Sequence, residues 1–150
     1  MTRKQMHDLV HAWIEALNRH DPQGVADAYL EEAVSRDMGR DMALLGREAI
    51  VESLATYVAA FPDIRWTISR LGIDTETLTV YMEWHAFGTH LGPYHGVPAT
   101  GRQIEVDGCH AFTMSPEGRI LSDKGYWDVA SLLRQIGVTP AWSAEGAVAQ

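Results

Sequence analysis

The segment Leu78-Thr79-Val80-Tyr81-Met82-Glu83-Trp84-His85-Ala86-Phe87 decides the fold. Val80, Met82, Trp84 and Ala86 fall on one face, and Tyr81, Glu83, His85 and Phe87 on the other. That two-residue period is the pleat of a β-strand. Upstream, Ile64, Trp66 and Ile68 alternate with Arg65, Thr67 and Ser69 in the same way, and Asp74-Thr75-Glu76-Thr77 supplies a turn between the two segments. Downstream, a glycine- and proline-rich connection runs from Gly88 to Arg102, and a loop of that length in a compact domain points to function. Ile104 to Met114 follows, with Val106, Gly108, His110, Phe112 and Met114 on one face. Pro116-Glu117-Gly118 turns the chain into a last strand, Arg119 to Asp128.

The first half of the chain has a different period. From Lys4 to Arg19, Met6, Val10, Trp13, Ile14 and Leu17 recur at three- and four-residue steps behind a Thr2 cap, which predicts an amphipathic helix. Asp21-Pro22 opens a second, short helix through Tyr29-Leu30, and Ala33 to Asp37 reads as a short strand. Met38 to Gly46 reads as a loop. Arg47 to Phe61 is the third helix, stopped by Pro62. Asp128 stands before a final short helix, Val129 to Gln135, which Gly137 ends. Three helices followed by successive strands predict an α+β fold: helices packed on a curved, mainly antiparallel sheet that closes into a cone with a hollow interior. The glycines inside strands, Gly88 and Gly108, are the expected bending points. Residues 1–138 form one domain on this reading, and 139–150 a loosely ordered tail with Trp142 as its anchor.

The chain has 150 residues, 46% of them hydrophobic, and a net charge of −8, so it has material for a single buried core and carries no basic stripe for nucleic acid. No apolar run reaches membrane-spanning length, and no signal-peptide pattern opens the chain. The single cysteine, Cys109, fits a reducing compartment. The expected location is therefore the cytoplasm, and the expected ligand a small apolar or aromatic molecule. Tyr81 and Phe87 place apolar surface on the outer sheet face, which predicts that a second copy covers it in a homodimer.

His110 is the leading candidate for chemistry. It lies on the otherwise apolar face of its strand, where burial keeps an imidazole neutral near pH 7; a hydrogen-bonded core histidine is the competing reading. Asp128 reads either as a carboxylate acid/base or as the cap of the last helix, and capping alone accounts for an aspartate there. Arg36 and Asp37 form a charged pair on the early strand. Trp13, Phe61, Trp66, Met82, Trp84 and Phe112 are the large residues expected to wall a pocket, or simply to build the core. His85, His90 and His95 do not share one face of a regular element, so no metal site is assigned to them; His90 borders the cavity mouth or fixes its loop. The glycines make no dinucleotide fingerprint and no nucleophile elbow, and Cys109 points away from His110 by strand parity.

Four short motifs together carry a family resemblance: Phe61-Pro62-Asp63, Gly88-Thr89-His90, Gly96-x-Pro98-x-Thr100-Gly101-Arg102, and Leu132-Leu133-Arg134-Gln135-Ile136-Gly137. From about Val10 to Gly137 the chain resembles the SnoaL-like polyketide cyclases and ester cyclases of the nuclear transport factor 2-like superfamily. The resemblance implies a cone-shaped α+β barrel and a cofactor-independent enzyme that closes a ring by an intramolecular aldol reaction. Isomerases, hydrolases, dehydratases, cofactor-free hydroxylases and non-catalytic binding proteins are the alternatives on that scaffold. It also implies a cavity-facing histidine at His110. Where many members carry Trp-Asp-x-x-Asp, this chain reads Lys124-Gly125-Tyr126-Trp127-Asp128. Asp128 matches the second aspartate, Gly125 stands in place of the first, and Asp123, two positions earlier on the same strand face, is a partial replacement for it. Tyr126 joins the expected substrate contacts. Arg36 and Asp37 occupy the place of a His-Asp pair near the mouth.

Overall fold

A computed structural model describes residues 1–138; the expected tail and Trp142 lie outside the described residues. The elements run α1 (Arg3–Asn18), α2 (Pro22–Asp27), β1 (Tyr29–Asp37), β2 (Met42–Leu45), α3 (Arg47–Ala60), β3 (Arg65–Asp74), β4 (Thr79–Thr89), β5 (Gln103–Met114), β6 (Ile120–Trp127) and α4 (Val129–Gln135). One six-stranded sheet has the order β2-β1-β6-β5-β4-β3. All neighbours are antiparallel except β1 and β6, which the intervening meander brings together in parallel. Helix α1 packs on α2, β3 and β4, α3 on α2, β1 and β2, and α4 on β5.

The helices form where local signals agree. Thr2 and Gln5 make a reciprocal capping box at the start of α1, satisfying two amides that have no partner within the helix. Met6, Val10, Trp13, Ile14 and Leu17 are buried as its spacing requires. Asp21 caps α2 through the Gly24 amide at 2.9 Å, with Pro22 inside the first turn. The concave sheet face presents Val80, Met82, Trp84 and Ala86 from β4 with Ile104, Val106 and Phe112 from β5, all buried against the helices.

Two expectations change. Met38 to Gly46 is not all loop, because Met42–Leu45 pairs with Val34–Asp37 as the edge strand β2. The early strand starts sooner, at Tyr29, and the second helix ends at Asp27. The β4–β5 register runs unbroken through Gly88 and Gly108, from Thr79 to Thr89. The irregular positions fall instead in β3 between Ile68 and Arg70, between Thr113 and Met114, and in β1 between Tyr29 and Val34. Gly108 serves close approach, since a Cβ there would lie 2.2 Å from the Trp84 ring. Its missing side chain is the space that Trp84 occupies.

Candidate functional site

Between the concave sheet face and helices α1 and α3 lies an open-mouthed cavity of about 120 Å³. Trp13 and Leu17 of α1 and Ile50, Ser53, Leu54 and Tyr57 of α3 form one wall. Trp66, Met82, Trp84, Ala86, Ile104 and Val106 form the floor. The polar groups enter from neighbouring strands: Tyr29, Ser35, Arg36 and Asp37 from β1, His110 from β5, and Asp123 from β6. The β1–β6 parallel pairing assembles this cluster, setting Ser35 against Asp123 and Asp37 against Gly125.

His110 is half-buried, stacked on Phe112 at 5.3 Å between ring centres and tilted against Trp13 at 5.6 Å. Trp84 Nε1 donates to His110 Nδ1 at 2.9 Å. An indole nitrogen can only donate, so Nδ1 is the bare, accepting nitrogen and the neutral ring carries its proton on Nε2. Protonating Nδ1 would set two donors against each other. Burial lowers the imidazole pKa from 6.5, and the Asp123 and Asp37 carboxylates oppose that shift only in part. Nε2 lies beside Gly125, where an added Cβ would stand 3.0 Å from it. Position 125 is empty of side chain because the imidazole tip needs the space.

Asp123 is buried, and each of its oxygens has one donor: Tyr29 Oη to Oδ2 at 2.6 Å and Ser35 Oγ to Oδ1 at 2.6 Å. Burial and the adjacent carboxylate push the Tyr29 phenol well above its ordinary pKa, so it remains the donor. Asp37 is filled differently. Its Oδ1 accepts from Trp127 Nε1 at 2.7 Å and from the Arg40 backbone amide at 3.1 Å, and its Oδ2 accepts from Arg40 Nε at 2.5 Å. Gly39 lets this turn close, because a Cβ there would meet Trp127 Nε1 at 2.8 Å. Asp37 therefore holds Arg40, not Arg36.

Of the candidates from sequence, Trp13, Arg36, Asp37, Trp66, Met82, Trp84 and His110 line one cavity. Five other candidates do not. Asp128 accepts from the Ser131 amide at 2.9 Å and caps α4, outside the lining; a side chain committed to a helix terminus is turned from the strand's inner face. Tyr126 is 47% exposed on the outer sheet face, opposite in parity to Asp123 and Gly125. Phe61 is fully buried behind the cavity, against Tyr57, Tyr94 and His90. Phe112 is the buried support beneath His110. His90 is fully buried and fixes the long connection: Nδ1 pairs with Thr100 Oγ1 at 2.9 Å, and its backbone pairs with Gly101 and Arg102.

The rest of that connection is anchored with equal thoroughness. Thr89 donates to Asp63 through both its amide and its hydroxyl at 2.7 Å, which holds the Asp63 carboxyl below its usual range. The Leu91 and Gly92 amides donate to the Ala60 carbonyl at 3.0 Å, and Tyr94 and Val97 exchange backbone bonds around a His95-Gly96 turn with positive φ at both residues. The Gly-Thr-His and Thr-Gly-Arg motifs are thus structural, and they deliver His95 to the cavity mouth. Sequence reasoning missed Arg40, Tyr57, Tyr29 and Ser35 as site residues. For Arg40 a signal existed, the Asp37-x-Gly39-Arg40 turn pattern.

The SnoaL-like polyketide cyclase family model matches residues 7–136. The chain is 26% identical over 131 residues to the aklanonic acid methyl ester cyclase DauD of Streptomyces sp. (strain C5), covering 87% of this chain and 80% of that protein. IdmH, a proposed polyketide cyclase of Streptomyces antibioticus, superposes with a TM-score of 0.76 at 25% identity over 89% of this chain and 99% of its own. A proposed SnoaL-like polyketide cyclase from Jannaschia sp. CCS1 does so with 0.82 at 17% identity, over 91% and 94%. With an imidazole, two carboxylates and aromatic walls in the hollow of this sheet, and a family match across nearly the whole described chain, the protein belongs to the SnoaL-like polyketide cyclase family.

Proposed function

We propose that the protein is a cofactor-independent cyclase that closes a ring in a carbonyl substrate by an intramolecular aldol-type reaction. The observation that carries this reading is the Trp84–His110 hydrogen bond at 2.9 Å, which commits the imidazole to presenting a neutral Nε2–H in an apolar cavity. A neutral donor there stabilises oxygen on which negative charge develops, and the water-poor surroundings strengthen the contact. His110 is therefore an oxyanion donor and not the base.

Asp123 is the base. Its carboxylate removes a proton from the carbon next to a carbonyl, while His110 Nε2–H holds the resulting enolate oxygen. The enolate carbon attacks a second carbonyl of the same molecule, forming the new C–C bond. The alkoxide so formed takes the proton back from Asp123, so no atom is gained or lost. Tyr29 and Ser35 orient the carboxylate throughout. Trp13, Trp66, Trp84 and Met82 press the chain into a folded shape, which replaces much of the entropic barrier of joining two ends. The names of the cyclase relatives support the reaction class, and the cavity chemistry supports the residue roles.

Purified protein given a polyketide ester with an acidic α-carbon should yield the cyclised isomer of equal mass. His110→Asn and Asp123→Asn should each lower turnover by about 10²–10³-fold. Full activity in both variants, with circular dichroism showing an intact fold, would rule the assignment out.

A further inference from the structure

The inner cavity opens into an outer chamber of about 270 Å³, and Arg40, Leu44, Ser53 and Tyr57 line both. The character of the walls changes across that throat. Indoles and aliphatic chains face the inner side, whereas Glu52, Thr56 and His95 join the outer one.

Arg40 is tethered on two sides, through Asp37 and by donation from Nη1 to His95 Nε2 at 2.7 Å, and its side chain is only 17% exposed. Its Nη2 has no hydrogen-bond partner among the described residues. Tyr57 stands close enough to feel the Arg40 charge, its ring fixed edge-on by Tyr94 and Trp127. Its hydroxyl likewise has no partner among the described residues, and burial keeps the phenol protonated. Asp37 already accepts three hydrogen bonds. The throat thus offers two open donors beside a carboxylate that already accepts three hydrogen bonds, a pattern that fits an oxygen acceptor on the ligand. Asp37 balances the charge of Arg40, and Glu52 adds a negative charge to the outer chamber, which disfavours an anionic arm.

We propose that the throat and outer chamber form a second binding subsite, in which Arg40 and Tyr57 hold a carbonyl oxygen and Ser53, Thr56 and Glu52 face a neutral, oxygen-bearing arm. The assignment rests on the cyclase reading only in taking the inner occupant to be a flat apolar carbonyl compound. It makes Arg40 and Tyr57 specificity-determining residues.

Equilibrium dialysis at pH 7 with three probes tests it: naphthalene, 3-(2-naphthoyl)propionamide and 3-(2-naphthoyl)propionic acid. Wild-type protein should bind the amide more tightly than either of the others. Arg40→Lys should weaken the amide by about tenfold, the scale of a lost hydrogen bond to a charged group, and Tyr57→Phe by about fivefold. Both should leave naphthalene within about twofold. Tyr57→Phe removes one oxygen only and keeps the test open should Arg40→Lys disturb the fold. Glu52→Gln should bring the acid toward the amide. Equal affinity for all three probes in wild type, or an equal loss for all three in the variants, would overturn the subsite while leaving the ring-closure reading intact. Failure of every probe to bind would overturn both. Tight, Arg40-dependent amide binding without turnover of any ester would sink only the ring-closure reading.

Discussion

One indole nitrogen sets the chemistry of the site. Because Trp84 donates to Nδ1, the proton of the neutral His110 ring resides on Nε2, the nitrogen beside Gly125 in the cavity lining. Trp84→Phe removes that constraint and should raise the His110 pKa, read by NMR titration of the imidazole Cε1 proton; an unchanged value would show that the bond does not matter. The same shift links to stability. The folded-state pKa lies below the 6.5 of the free group, so the unfolded chain takes up the proton first on acidification. The contribution of His110 is therefore complete above about pH 6.5 and is lost as pH falls from there toward the folded-state value. In Trp84→Phe that acid-side loss should shrink, as measured by urea unfolding between pH 5 and 7.

At the scale of elements, the site is an arrangement of strand faces. His110 and Asp123 line the same cavity because β5 pairs with β6, and Ser35 and Tyr29 reach Asp123 because β1 lies parallel to β6. Strand parity was readable: alternation placed His110, Trp84 and Met82 inward and left Tyr81 and Phe87 outside. Asp128 shows how an element boundary decides a role. One residue beyond β6 it belongs to α4, and its carboxylate serves that helix. Asp128→Ala should cost about 1 kcal/mol of stability by thermal unfolding and leave kcat unchanged. A collapse of kcat in that variant would return Asp128 to the reaction.

At the scale of the whole molecule, the described residues leave one sheet face partly bare. Tyr81, Phe87 and Tyr126 are about half-exposed on the side away from the cavity. We propose that a second copy covers them; sedimentation should then show a dimer in solution, and Tyr81→Glu with Phe87→Glu a monomer, whereas a wild-type monomer would refute it. No helix among the described residues is long and apolar enough to cross a membrane. The sequence by itself determined the α+β class, the inward set of each long strand with His110 among it, and the capped helices, because periods of two and 3.6 residues and capping patterns are local properties of the chain. Only the tertiary structure decided that Asp123 lines the cavity while Asp128 caps α4, that Asp37 holds Arg40, and that His110 Nδ1 accepts from Trp84. Those outcomes depend on hydrogen bonds between residues as far apart as Tyr29 and Asp123, which come within 2.6 Å of each other only when the sheet curls and its first and last strands pair.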